Sequence, residues 1–307
     1  MSHQHTLSRE VSCRGVGLHT GLDVSLTLKP APIDHGIVFR RTDMGPSALI
    51  EAIPENVQDT HLATTIGKNG AAVRTIEHLM AAFSGMGIDN CLVDLSGPEV
   101  PAMDGSARPW VDLVQRAQRK RQFAPRTYLK VRERIVVSDG SRFLQLVPSG
   151  KLTVFYTMSF SYPFLGEQSV AYNLSRKTFI DSISPSRTYV FLQDLQRIRS
   201  AGLGQGGSLE NTVVVSDEGI LNGGLRWRDE LVRHKVLDVI GDLYLLGSPI
   251  VGTLIAYGAG HKLHVQLVQE IQKQLMPKKT DFPLPAVIEK LVHPLLSHQE
   301  MVEKAAI

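Results

Sequence analysis

Hydrophobic side chains along this chain recur with two different periods, and the changes between them predict its elements. Residues 24–28 (V-S-L-T-L) are apolar at every second position, the spacing of a half-buried strand. Further strands are expected at 88–95, 128–137, 143–147, 152–160 and 250–257. Between them the period lengthens. Ile76, Leu79, Met80, Phe83 and Met86 follow helical spacing, with Thr75 as N-cap and Gly85 and Gly87 closing the run. Other helices are expected over about 106–119, 228–246 and 261–275, and a last one over 283–307.

Both halves end in helix, strand, helix. That order predicts an α+β chain made by internal duplication, with the active site where the two units meet. The boundary falls near Gln122–Pro125, giving a first domain 1–125 and a second 126–307. The second half carries an extra segment, roughly 181–222, that reads as helix, glycine-rich turn and strand, a βαβ-like insert. Its turn, residues 202–207, matches G-x-G-x-x-G. It follows a helix and precedes a strand, the reverse of the dinucleotide-binding context, so it reads as a flexible connection.

One helix carries the candidate chemistry. Through the apolar run 228–246 passes a polar stripe at steps of four: Glu230, His234, Asp238, Asp242. Residues four apart share a helix face, so His234 and Asp238 converge on one point. A lone pair of this kind is more simply a solvated stripe. The helix starting near Thr75 changes the odds, because Glu77 and His78 fall in its first turn. Neighbouring helical residues point about 100° apart, so His78 can face a metal while Glu77 faces a water beside it. Three N/O ligands, an open position and a nearby carboxylate are the needs of a catalytic zinc site.

Bulk properties narrow the alternatives. Hydrophobic residues make up 43% of 307, enough for a full core. A net charge of +3, with acids and bases interspersed, gives no case for nucleic-acid binding. No apolar run approaches the roughly 20 residues of a membrane-spanning helix. Two cysteines, Cys13 and Cys91, form no framework, and the first residues lack a secretory pattern; both features point to a cytoplasmic protein.

Four ordered motifs add a resemblance: G-V-G-L-H-T-G at 15–21, T-I-E-H-L at 75–79, P-E-V-P-A-M-D-G-S at 98–106 and V-R-H-K-V-L-D-V-I-G-D at 232–242. Together they resemble the UDP-3-O-acyl-N-acetylglucosamine deacetylases of lipid A biosynthesis, over about residues 7–275. The resemblance implies two similar two-layer α/β sandwich domains, each with an insert, and one catalytic Zn²⁺. It implies His78, His234 and Asp238 as metal ligands and Glu77 as general base. His261 would protonate the leaving amine, with Asp242 orienting it and Thr188 assisting the oxyanion. Lys235 would lie near substrate and metal. Tyr189, Phe160, Phe191 and Asp194 would line the sugar–nucleotide region, and the 181–222 insert would hold the acyl chain.

Two departures stand out. Gly258 occupies a position that is basic in several relatives, and Lys262-Leu-His264 replaces a commoner Ala-Leu-Asn. The first puts a diphosphate contact in doubt.

The expected substrate is an acylated UDP-sugar, met by a monomer that touches the membrane surface only transiently. Rival readings are a deacetylase of another N-acyl sugar and a non-catalytic ligand- or RNA-binding module. Judged on residues alone, His19 reads as structural or peripheral rather than as a ligand. Glu99 and Asp104 read as loop stabilisers, and His3, His5, His35, His61, His293 and His298 as surface residues.

Overall fold

A computed structural model describes residues 2–275 of the protein; the helix expected over 283–307, with His293 and His298, lies outside the described residues. Two five-stranded sheets form its frame. The first runs Val11–Val16, Asp23–Pro30, Cys91–Leu95, Ile37–Arg41, Leu49–Glu51 in spatial order. The second runs Ile135–Asp139, Arg142–Val147, Thr253–Tyr257, Thr153–Ser159, Glu167–Asn173. Each sheet has its last strand inserted at the centre, parallel to the third strand and antiparallel to the second. The order of helices is also the same. Glu77–Met86 and Arg108–Ala117 bracket the central strand of the first sheet, as Glu230–Leu243 and His261–Leu275 bracket that of the second. The fold is therefore α+β, as the periodicity predicts.

Alternation decides which face each sheet buries. Along Asp23–Pro30, Val24, Leu26 and Leu28 point inward, while Asp23 and Ser25 face solvent. The helices cover these inner faces, and one continuous core runs through both halves, from Phe39 and Phe83 to Tyr156 and Val268. The two central helices touch directly. A β-carbon on Gly241 would sit 2.0 Å from the Glu77 carbonyl oxygen, so only glycine permits this approach.

Several local expectations change. The helix near 75 begins at Glu77, not with Thr75 as its cap. Thr75 has φ +58° and gives its hydroxyl to Glu99 Oε1 at 2.7 Å instead. Gly85 lies inside that helix, against Phe179, and Gly87 alone ends it in a left-handed turn. The expected boundary at 122–125 is itself part of a strand, Arg119–Pro125, which returns to pair with His3–Leu7. The edge strand Glu167–Asn173 had no clear signal, because only Val170 and Tyr172 interrupt its polar and small residues.

Within the insert, Tyr189–Phe191 runs parallel to Val213–Val215, with the helix Leu195–Ser200 between them; Phe191 closes a strand where the pattern reads as the start of the helix. Its glycine turn is not a loose connection. Gln205 and Gly206 donate backbone N–H groups to His19 O and Leu18 O, so the turn docks on the 15–21 loop of the first half.

Candidate active site

The first turn of the Glu77 helix and the middle of the Glu230–Leu243 helix meet below the insert. Glu99 anchors the approach. Its fully buried carboxylate accepts the backbone N–H groups of His19 and Thr20 and the hydroxyls of Thr20 and Thr75. This bears out Glu99 as a loop stabiliser and fixes where the helix carrying Glu77 and His78 starts. Asp104 has a similar local use, accepting from Ser106 and pairing with Arg226 at 2.9 Å.

His78, His234 and Asp238 come together in a buried cluster. Asp238 Oδ1 lies 3.6 Å from His78 Nε2 and 3.3 Å from His234 Nε2. The three residues offer ligand atoms within 4.8 Å of one another. Asp238 Oδ1 is buried and has no hydrogen-bond partner, an arrangement that costs free energy unless something binds there. His234 donates Nδ1–H to Ser186 O at 3.0 Å, which turns its Nε2 lone pair toward Asp238. Burial pushes the His234 pKa down to about 3, so the ring is neutral, as a metal ligand must be. The His234 lone pair and an orphaned carboxylate oxygen, with the His78 ring beside them, suit a divalent cation.

Around this cluster sit the other candidates. Glu77 is buried and accepts the Thr64 N–H at 3.0 Å; burial is the main cause that raises its pKa above the ordinary 4.5. His261 donates Nδ1–H to Asp242 Oδ2 at 2.7 Å, while its Nε2 faces Asp238 Oδ2 at 3.9 Å. Burial alone would lower His261, but Asp242, with Glu77 and Asp238 behind it, raises it to about 9. Asp242 is held at about 2 by the same pairing, against the opposing effect of burial. An imidazolium–carboxylate pair therefore flanks the cluster at neutral pH. Lys235 donates to Asp238 Oδ2 at 2.8 Å and lies 5.3 Å above the Tyr189 ring centroid.

A cavity of about 430 Å³ opens over these groups. Thr188, Tyr189, Phe191 and Asp194 line it together with Glu77, His78, Lys235 and His261. Phe160 does not line it. Its ring stands behind Tyr189 and Phe191, at 6.1 and 6.3 Å, in a small second core with Tyr162 and Leu231. An adjoining cavity of about 280 Å³ shares Thr188 and Tyr189 and is walled by insert side chains such as Leu192, Leu195, Leu209 and Leu221. In the wall of the first cavity, Arg142 fills the space beside Gly258: a β-carbon there would lie 3.2 Å from Arg142 Cγ.

Three contributors are absent from the residue-level reading. Thr64 donates its hydroxyl to Asp242 Oδ1 at 2.6 Å, across 178 residues of sequence. His264, fully buried, donates Nδ1–H to the same Asp242 Oδ2 as His261, at 2.7 Å. Its Nε2 lies 2.9 Å from the Tyr156 hydroxyl, which also reaches Ala259 O at 3.0 Å. Only the i, i+3 spacing of His261 and His264 hinted at this. Asp242, His261 and His264 also form a potential ligand group. Their nearest atoms are already joined by two hydrogen bonds, so the Asp238 cluster is the better cation site. His19 is buried, with both ring nitrogens unpartnered, in the wall of the apolar cavity. His61 is exposed, whereas His3, His5 and His35 are half-buried.

By class, this is an α+β protein with a two-histidine, one-carboxylate cluster flanked by a buried acid and a charged imidazole. Comparison with known proteins gives the family. Residues 4–273 match UDP-3-O-acyl N-acetylglycosamine deacetylase, and the chain belongs to that family. It is 48% identical over 270 residues to the UDP-3-O-acyl-N-acetylglucosamine deacetylase of Myxococcus xanthus, covering 88% of this chain and 86% of the relative. The enzymes of the same name from Teredinibacter turnerae and Syntrophus aciditrophicus are 46% and 44% identical. They align over 89% of this chain and 91% and 87% of their own lengths.

Proposed function

We propose that this protein removes the N-acetyl group of UDP-3-O-(3-hydroxyacyl)-N-acetylglucosamine, a step of lipid A biosynthesis, with one Zn²⁺ held by His78, His234 and Asp238. The products are acetate and the free 2-amino sugar nucleotide. The observation that carries the reading is the orphaned Asp238 Oδ1 facing two imidazole Nε2 atoms, beside Glu77 and the His261–Asp242 pair.

Zinc bound there supplies Lewis acidity, polarising an amide carbonyl and lowering the pKa of water to about 7. The chain's own residues move the protons. Glu77, kept ready by burial and the Thr64 N–H, takes a proton from the attacking water. His261 in its charged form gives one to the departing nitrogen, because an amine leaves poorly as an anion. Asp242 holds His261 in that state and orientation through the Nδ1 bond. The Thr188 hydroxyl, on the cavity wall, assists the developing oxyanion. Lys235 occupies Asp238 Oδ2, which leaves Oδ1 facing His78 and His234.

Tyr189, Phe191 and Asp194 form the wall for the sugar nucleotide, and Phe160 supports them from behind. The adjoining leucine-lined cavity is the place for the acyl chain. Arg142 in the cavity wall provides positive charge for a diphosphate, in place of the missing basic residue at position 258, while Lys262 beside it is paired with Asp139 at 2.8 Å.

The division into units 1–125 and 126 onward is supported by the matching order of the two sheets and by the strand Arg119–Pro125 closing on His3–Leu7. Two unpaired cysteines support a cytoplasmic setting. Among the described residues no helix is long and apolar enough to cross a membrane.

The test is metal analysis of the purified protein together with acetate release from the 3-O-acylated UDP-sugar and from unacylated UDP-N-acetylglucosamine. Chelator-reversible turnover of the acylated substrate alone is the expected result. Preference for the unacylated sugar would replace the substrate, and protein purified without metal and without turnover would sink the reading.

A further inference from the structure

The largest unexplained concentration of charge lies at the far end of the helix that begins with Glu77. Residues 116–134 carry eight Lys or Arg side chains against one acid, Glu133, in a chain whose net charge is +3. The fold gathers part of this excess. Arg119 Nη1 and Arg176 Nη2 both donate to Met86 O, at 3.5 and 3.0 Å, and Arg126 Nε donates to Asp89 Oδ1 at 2.6 Å. A β-carbon on Gly87 would lie 3.1 Å from Arg119 Nη1 and 3.5 Å from Arg126 Nη1, so two guanidinium groups converge over this left-handed residue. Among the described residues, Asp89 is the one carboxylate bonded to any of the three. Its other oxygen is taken by the His5 N–H.

Helix capping accounts for one arginine at Met86 O, where the helix dipole favours a cation. It does not account for three. Like charges this close repel. Burial first, then Arg176 and Arg126, lowers the Arg119 pKa. The cluster also borders open space. Cavities of about 410 and 390 Å³ share Arg119, Arg126 and Tyr128 as a common wall. Arg176 and Lys151 line the first, His3 and Arg121 the second, and no Asp or Glu lines either.

We propose that Arg119, Arg126 and Arg176 form an anion site for a phosphoryl group, separate from the deacetylation site and independent of the function assigned to it. Three guanidinium groups and a lysine offer more donors than the two oxygens of a carboxylate can accept. A phosphoryl group brings three terminal oxygens and up to two charges. The source is either a soluble phosphorylated molecule or an anionic lipid headgroup. Phe123, 93% exposed, lies in the same strand as Arg119 and Arg121, which gives the headgroup arm a definite apolar anchor to test.

Calorimetric titration of the metal-loaded full chain with inorganic pyrophosphate tests this, comparing wild type with the R119Q/R176Q double variant. The comparison isolates the cluster, because any pyrophosphate bound at the active site is common to both proteins. Wild type is expected to show a salt-sensitive binding component that the variant loses by about tenfold or more, with deacetylation unchanged. R119K/R176K should retain most of it. The second arm measures sedimentation with phosphatidylglycerol and phosphatidylcholine vesicles. Loss of anionic-vesicle binding in R119Q/R176Q and in F123S, without a pyrophosphate difference, would assign the headgroup as ligand. Should the glutamine variant not fold, phenylglyoxal labelling of Arg119 and Arg176 in wild type replaces it, with protection by pyrophosphate or by anionic vesicles expected. The proposal is overturned if wild type and variant bind pyrophosphate and anionic vesicles alike, or if neither ligand protects these arginines.

Discussion

Lys235 Nζ lies 2.8 Å from Asp238 Oδ2, and this bond decides which oxygen of Asp238 remains for a metal. The other oxygen, Oδ1, faces His78 and His234 without a partner. Lys235→Met removes the bond and the charge while keeping most of the unbranched side chain. Both oxygens of Asp238 are then unheld, and a buried carboxylate loses a cationic neighbour. Loss of such a supporting contact is expected to lower metal affinity or turnover by about 10- to 100-fold. Metal content after dialysis, read beside kcat, checks this. Unchanged values for both would leave Lys235 with no role at Asp238.

Glu77→Ala separates chemistry from architecture. Glu77 contributes no atom to the His78–His234–Asp238 cluster, so metal content should stay at wild-type level. Turnover should fall by about 10²- to 10⁴-fold, the usual scale for losing a positioned general base. Burial disfavours the ionised form of Glu77, so its removal is not expected to lower the melting temperature much. A variant that keeps its turnover rules out the base role.

Much of this site was legible in sequence because its central part is local. His234 and Asp238 are one helical turn apart, and Glu77 and His78 are neighbours, so periodicity alone predicts their faces. The start of the last described helix, at His261, was also legible in its pattern. What escaped is contact between distant segments. Thr64 reaches Asp242 across 178 residues, and Tyr156 reaches His264 across 108, with no spacing that announces either. Thr75 misled because a threonine before an apolar run has the composition of an N-cap. Here its hydroxyl is committed to Glu99 and its backbone is left-handed. The strand Arg119–Pro125 escaped for another reason: it is polar and held by pairing with the first residues of the chain.

The pH profile should be bell-shaped, with signs set by two groups. Activity needs Glu77 ionised, and its raised pKa puts the acid limb above the ordinary carboxylate range. It also needs His261 protonated, so the basic limb falls near its pKa of about 9. Asp242→Asn removes the charge that raises His261, leaving burial to pull it down, and the basic limb should move to lower pH. Stability follows the same linkage. The His261 pKa is raised above its ordinary 6.5, so its contribution is complete below that pH and lost as pH rises through about 9. Asp242, lowered from 3.8 to about 2, contributes above 3.8 and loses that contribution as pH falls through 2. Profiles of kcat/KM and melting temperature for wild type and Asp242→Asn check both signs. A basic limb that does not move in the variant would break the link between Asp242 and His261.

Arg142 lies beside Gly258 in the cavity wall and is free of any carboxylate partner among the described residues. Arg142→Ala should raise KM for the nucleotide substrate by roughly tenfold, the scale of one charge-assisted hydrogen bond, and leave kcat nearly unchanged. Added salt should shrink the difference, since screening weakens the same contact in wild type. A fall in kcat with constant KM would place Arg142 in the chemistry instead of in binding.

Gly241 offers the sharpest test of how the two halves make one site. Its neighbours in sequence, Ile240 and Asp242, belong to the core and to the His261 pair, while its missing side chain is the space occupied by the Glu77 carbonyl. In Gly241→Ala the new carbon would lie 2.0 Å from that oxygen and 2.8 Å from the carbonyl carbon. The obstruction is backbone, which no rotamer change can clear, so the two helices must move apart. The expected cost is about 3 kcal/mol of stability, with a lower denaturation midpoint. Separation also pulls His78 from His234 and Asp238, so metal affinity should fall although every ligand and the base remain. A variant that melts lower yet keeps metal and turnover would show that helix contact and site geometry are independent. Coupled losses would show that one glycine sets both.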